Sequence, residues 1–356
     1  MEEKAGFFNR TAAVVFSVLV CLSQAQAQAQ GGSRIQFIDT QAQFDPFVLS
    51  GRFKEIVPHI IEEMDRHGVS KTFIVPPPMP EHMPQNMLYD AEEIVSAIKG
   101  NPRFAFLAGG GSLNQMILGT NPGNVSESDK KRFRERALKI LRAGALGFGE
   151  VTAHHLSLPG MGQDHAFSAT APDHPLLLLL ADIAAEHDVP IDIHLDAVPA
   201  DMVIPERLAA QQNPRNLKEN MTAFERLLAH NRKAKFVWSH TGSDPPMRRT
   251  VNMVRQLLDK NENLYTSIRI IRTGPAPAIP LDDTGKLKED WRQLLSDHRE
   301  RFFLQSDLFY QIAPPLIGRG PRDSLALVRQ LLSQLPDDEA RLIAYENARR
   351  VYKLKD

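Results

Sequence analysis

The chain has 356 residues, is 42% hydrophobic, and sets 42 basic against 43 acidic residues for a formal charge of −1. A sizeable core is therefore available, and the even balance supplies no basic excess for a nucleic-acid partner, so a small molecule is the expected ligand. The 25 Pro and 21 Gly are scattered, which excludes a collagenous or low-complexity body.

Residues 1–29 read as a secretory signal peptide. A charged start, "MEEKAGFFNR", precedes the apolar run "TAAVVFSVLVCL" and the small polar stretch "SQAQAQAQGGS", with Ala-x-Ala cleavage choices ending at Ala27 or Ala29. Glu2 and Glu3 depart from the usual basic start. The apolar run is short for a bilayer span, so no membrane contact is expected after cleavage. The protein is expected to be exported, periplasmic or secreted. Cys21 is the sole cysteine and lies inside the leader, so the mature chain has neither a thiol nucleophile nor a disulfide. One domain is expected over residues 34–356.

Past the leader, eight short apolar runs follow in order: "RIQFIDTQ", "KTFIVPPP", "RFAFLAGG", "GALGFGEV", "PIDIHLDA", "AKFVWSHTG", "NLYTSIRII" and "RFFLQSDLF". Each is bounded by Gly, Pro, Asn or Asp, as buried strands are. Between them lie amphipathic stretches such as "GRFKEIVPHIIEEMDRHG", "SDKKRFRERALKILRAG", "NLKENMTAFERLLAHNRK" and "PMRRTVNMVRQLLDKNEN". In one of these, Phe224, Leu227 and Leu228 fall at i, i+3 and i+4 on one helix face. Eight strands alternating with helices predict an α/β fold, a (β/α)8 TIM barrel, closed by a C-terminal helix in "DEARLIAYENARRVYKL". An open doubly wound sheet is the alternative, but no Gly-rich turn follows the first strand.

In a TIM barrel the chemistry sits where the strands end. The first strand brings Asp39, Gln41 and Gln43, and the fourth Glu150 followed by His154 and His155. The fifth brings His194 and Asp196, the sixth His240, the seventh Arg269 with Arg272 beyond it, and the eighth Asp307. Each alone has a structural reading as a hydrogen-bonded strand end or a helix cap. Together, Glu150, His194, His240 and Asp307 supply the imidazoles and carboxylates that a tetrahedral zinc takes. The two carboxylates would balance a dication in a dry site. Arg269 or Arg272 could hold a substrate carboxylate through a bidentate contact. His154 and His155 could line the pocket or replace a ligand. The long loop "TAHHLSLPGMGQDHAF" has the composition of a site cover.

At these residues the chain resembles the amidohydrolase superfamily, in particular its amidohydrolase-related TIM-barrel hydrolases. The likeness runs from "FIDTQAQF" through "LGFGEV", "IDIHLDA", "VWSHTG" and "LQSDLF" to "ENARRVYKL". It implies that Glu150 takes the place of the bridging carboxylate or carbamylated lysine and that His194 and His240 are metal ligands. It also implies that Asp307 takes a proton from the attacking water. The family's strand-one His-x-His falls on Gln41 and Gln43, and there the pattern breaks. Residues i and i+2 of a strand share a face, so both amides should enter the site. An amide oxygen is a weak, neutral ligand, whereas transition metals favour imidazole. One divalent metal at most is therefore expected, zinc by preference, with Gln41 and Gln43 bonding to substrate or propping the ligands.

The expected function is metal-assisted hydrolysis of an ester, lactone or amide, with Asp307 as general base. One alternative is a metal-independent lactonase- or decarboxylase-like enzyme. Another is an inactive exported barrel that binds a small molecule.

Overall fold

The computed structural model describes residues 35–46, 51–79, 89–159, 165–209, 212–311 and 324–355. From Gln36 onward these belong to one unit. The leader expected over residues 1–29 lies outside the described residues.

The barrel strands are β1 (Phe37–Phe44), β2 (Val69–Ile74), β3 (Phe104–Phe106, continued past Leu107 by Ala108–Gly109) and β4 (Phe148–His155). They continue with β5 (Pro190–Leu195), β6 (Lys235–Thr241), β7 (Leu264–Ile268) and β8 (Phe302–Leu304). Every barrel pairing is parallel, and β1 lies beside both β2 and β8, with Asp39 opposite Leu304. The ring closes through β3. Its first half pairs with β2, Phe104 opposite Thr72, and its second half with β4, Ala108 opposite Phe148. The expected eight strands thus form a TIM barrel rather than an open sheet.

The amphipathic stretches fold as helices on the connections. "SDKKRFRERALKILRAG" gives Glu127–Arg142, started by a capping box in which Ser126 and Asp129 bond each other's backbone N–H groups. Phe133, Ala137 and Ile140, at i, i+4 and i+7, are its buried residues. Met221–His230 and Val251–Lys260 follow the same pattern. The C-terminal stretch passes through Asp337–Arg341 and a wider turn to Asn347–Val351. There, Val351 and Tyr352 pack with Ile38, Phe73, Leu107, Val237 and Phe303 from five strands, which closes one end of the barrel. The Tyr352 ring meets Phe73 edge-on, with centroids 4.9 Å apart.

Among the described residues no helix is long and apolar enough to cross a membrane. Two connections build a satellite layer. Leu156, from the segment after β4, packs with Val198, Ile204, Leu208 and Leu217 from the segment after β5. A small antiparallel pair, Met202–Val203 with Asn216–Leu217, braces the second segment.

Candidate active site

The strand ends converge on Glu150. Its carboxylate oxygen Oε1 lies 2.6 Å from His194 Nδ1 and 2.8 Å from His240 Nε2. Its other oxygen accepts from Gln41 Nε2 at 2.6 Å, with Gln43 Nε2 at 3.4 Å. Gln43 also donates to Asp307 Oδ1 at 2.7 Å, so one amide links the two carboxylates. Arg269 Nη2 holds the far oxygen of Asp307 at 3.0 Å. Both amides of the first strand reach into the same cluster, as their i, i+2 spacing requires. Two of the contributing residues are held in left-handed backbone: His240 at φ 66° and Asp307 at φ 52°. Non-glycine residues adopt this region at a cost, and such strain collects where side chains must be aimed.

The site is buried and its charges are paired. Glu150 is 1% exposed and His240 4%. Burial opposes ionisation of Glu150, but His240 and His194 outweigh it and hold the carboxyl well below the usual carboxylate range. Asp196 is lowered in the same way by His194, whose Nε2 lies 3.5 Å from its Oδ1. His194 itself resists burial because Asp196 and Glu150 flank it, and it is pushed up to about 10. Burial pushes His240 down, so it stays neutral beside the charged ring. Its Nδ1 accepts from the Gln305 amide, which leaves Nε2–H to donate to Glu150.

A row of imidazoles continues outward. The His240 and His194 rings are 4.7 Å apart, His194 and His155 4.7 Å, and His155 and His165 4.5 Å. His155 Nδ1 donates to the Ala166 carbonyl, while His165 Nδ1 accepts from the Leu158 amide. Burial pushes His155 well below its ordinary value and His165 down to about 4, so both are neutral. These rings border a cavity of about 490 Å³. Gln43, Glu150, His194, His240, Arg269 and Asp307 line its charged side, and Met79, Leu156, Leu158, Ile271 and Phe309 are among its apolar walls.

Glu150, His194 and His240 offer one ligand atom each within 4.8 Å of one another, a donor set that suits a divalent transition metal. Two further oxygens nearby, Gln41 Oε1 and Gln43 Oε1, are buried without a hydrogen-bond partner. The residues present therefore fit one metal ion.

Asp307 stands outside the converging group, because Gln43 and Arg269 claim its two oxygens; it is 3.9 Å from His240 Nδ1. Gln41 is fully buried behind Glu150, to which it donates, and does not line the cavity. His154 points away from the cavity and packs edge-on against Phe167, since neighbours along a strand face opposite sides; His155 is the one that lines it. Gln43, Arg269 and Arg272 line the cavity as expected.

Sequence reasoning did not single out His165, Arg207, Asp244 or Gln305. His165 lies in the long polar loop already read as a cover, so that loop was the available signal. Arg207 and Asp244 sit on irregular segments with no periodic pattern to aim them.

A family model described as "Amidohydrolase" matches residues 124–354. No curated protein matches the chain. Among solved structures, an uncharacterized TIM-barrel protein from Bordetella bronchiseptica aligns with TM-score 0.50 at 14% identity, over 90% of this chain and 99% of its own. A probable 2-pyrone-4,6-dicarboxylic acid hydrolase from Acinetobacter baumannii, with citric acid bound, aligns with TM-score 0.48 at 14% identity, over 90% and 100%. A dihydroxybenzoic acid decarboxylase from Polaromonas sp. JS666, with manganese and 2-nitroresorcinol bound, aligns with TM-score 0.46 at 11% identity, over 90% and 97%.

Proposed function

The chain belongs to the amidohydrolase family, and from that premise we propose that it hydrolyses an ester, lactone or amide bond in a small molecule with the help of one divalent metal ion. The observation that carries this reading is the meeting of His194 and His240 on a single oxygen of Glu150. Glu150, His194 and His240 would hold the ion, zinc by preference for this donor set. Such an ion, when bound, polarises a carbonyl and acidifies water.

The chain's own residues supply the rest. Asp307 accepts the proton of the attacking water and returns it to the leaving group. Arg269 Nη2, 3.0 Å from Asp307 Oδ2, aims that carboxylate. Gln43 fixes its other oxygen through the 2.7 Å bond. The apolar walls exclude bulk water, which strengthens each of these contacts.

A second reading draws on the charge of His194. Its protonated ring already balances Glu150 and Asp196. In that reading Asp307 activates water directly, and an imidazole or guanidinium stabilises the oxyanion.

Turnover of a panel of aryl esters, lactones and anilides, before and after chelator treatment, separates the two. Activity lost on chelation and restored by zinc supports the metal-assisted reading. Activity that survives chelation supports the second, and no turnover anywhere in the panel defeats both.

A further inference from the structure

The exposed rim of the cavity carries positive charge that the catalytic cluster does not use. Arg207, on the short turn Glu206–Leu208, and Arg272, past the end of β7, both line the cavity. Neither forms an ion pair with an acidic side chain among the described residues. Among the described residues the Arg272 guanidinium reaches the sulfur of Met247, at 3.6 Å. Arg269 is different, because Asp307 already engages it. Burial and the neighbouring Arg272 pull the Arg207 guanidinium below its ordinary value, with Arg248 adding to the repulsion and Asp244 offsetting part of it.

Asp244 is an acidic neighbour of Arg207, yet among the described residues it pairs with neither Arg207 nor Arg272. It lines the cavity, is 2% exposed, and spends one oxygen on the backbone N–H groups of Arg248 and Arg249. Its other oxygen, Oδ1, is buried without a partner. The formal charge of the whole chain is −1, so this local gathering of guanidiniums does not reflect a basic protein. Guanidinium forks that repel one another and lack carboxylate partners are matched by an oxyanion, which they grip in bidentate fashion.

We propose that Arg207 and Arg272 form an oxyanion subsite at the rim of the cavity, which takes an anionic group at the end of the substrate remote from the bond that is cut. The inference rests on the hydrolase reading only in taking this cavity as the place of the substrate. It divides the two arginines of the β7 end: Arg269 serves the base, and Arg272 serves the substrate. Carboxylate and phosphate share the required chemistry, and direct binding tells them apart.

Calorimetric titration of glutarate and of inorganic phosphate into the intact protein tests the subsite without any need for turnover. The wild type should bind at least one of them, and the better binder names the anion class. Arg207→Gln and Arg272→Gln should each weaken that binding by about tenfold or more, the scale of a lost charge-assisted contact. Arg272→Lys should fall between Arg272→Gln and the wild type, because it keeps the charge but loses the fork. Both side chains are exposed, so near-ultraviolet circular dichroism should be unaltered in the variants. Failure of the wild type to bind either anion at millimolar concentration overturns the proposal, as does unchanged affinity in the double Gln variant. Loss of the hydrolase reading alone would leave these affinities as stated. Turnover of a neutral ester together with variant-insensitive anion binding would instead remove the subsite and leave the hydrolase.

Discussion

At the scale of single residues, side chains that the barrel places within one cluster have separate contacts. Asp307, the proposed base, has its two oxygens held by Gln43 and Arg269. Asp307→Asn should lower kcat by about 100-fold or more while metal content stays the same, the usual range for a lost general base. Near-normal turnover would show that the base is elsewhere. Gln41 and Gln43 stand where imidazoles would serve a second ion in the proposed site, and their N–H groups instead donate to Glu150 and Asp307. The double variant Gln41→His, Gln43→His should therefore bind a second equivalent of zinc, measured by elemental analysis after reconstitution. A stoichiometry that does not rise would mean that those side chains do not face a metal position. Asp39 makes a pH prediction. Burial raises it from 3.8 to about 7, against the opposing bonds from Ser306. The folded state then holds this proton more tightly than the unfolded chain, so stability falls as pH rises from about 4 to 7 and is flat above. In urea unfolding at pH 5 and pH 8, Asp39→Asn should gain on the wild type at the higher pH. A difference that is the same at both would remove Asp39 as the titrating group.

At the scale of elements, periodicity made most of the fold legible. The eight apolar runs became the eight barrel strands, because alternation and flanking Gly, Pro and Asn are local signals of burial and of turns. The apolar stripe of Glu127–Arg142 and its Ser126 cap were equally readable. Ser126→Ala should cost about 1 kcal/mol in chemical denaturation, the ordinary value of a lost cap; a change near zero would show that the helix start is held by packing instead. Strand ends were less legible. Glu150 lies third in β4, which runs on to His155 past the rim, so the run "GALGFGEV" gave the strand but not its reach. Which way His154 and His155 face depends on the register of β4 against β5, where Thr152 lies opposite His194. That register has a bulge on each side of it, and no local pattern encodes it. The helix Pro175–His187 carries an almost unbroken run of leucines and so lacks the amphipathic signature by which the others were found.

At the scale of the molecule, the barrel brings together groups that are far apart in sequence. Gln43 and Asp307 are 264 residues apart, and Glu150 and His240 are 90 apart. The meeting of Glu150, His194 and His240 was readable in advance because strand ends of a barrel meet by topology alone. The rim was not, because Arg207 and Asp244 reach the cavity from irregular segments. Whether Glu150, His194 and His240 hold an ion is tested by the divalent metal content of the purified protein after reconstitution with zinc, set beside His194→Ala and Glu150→Gln. The account predicts one equivalent in the wild type and a loss of most of it in each variant. No bound metal in the wild type, or one equivalent that both variants retain, would contradict it.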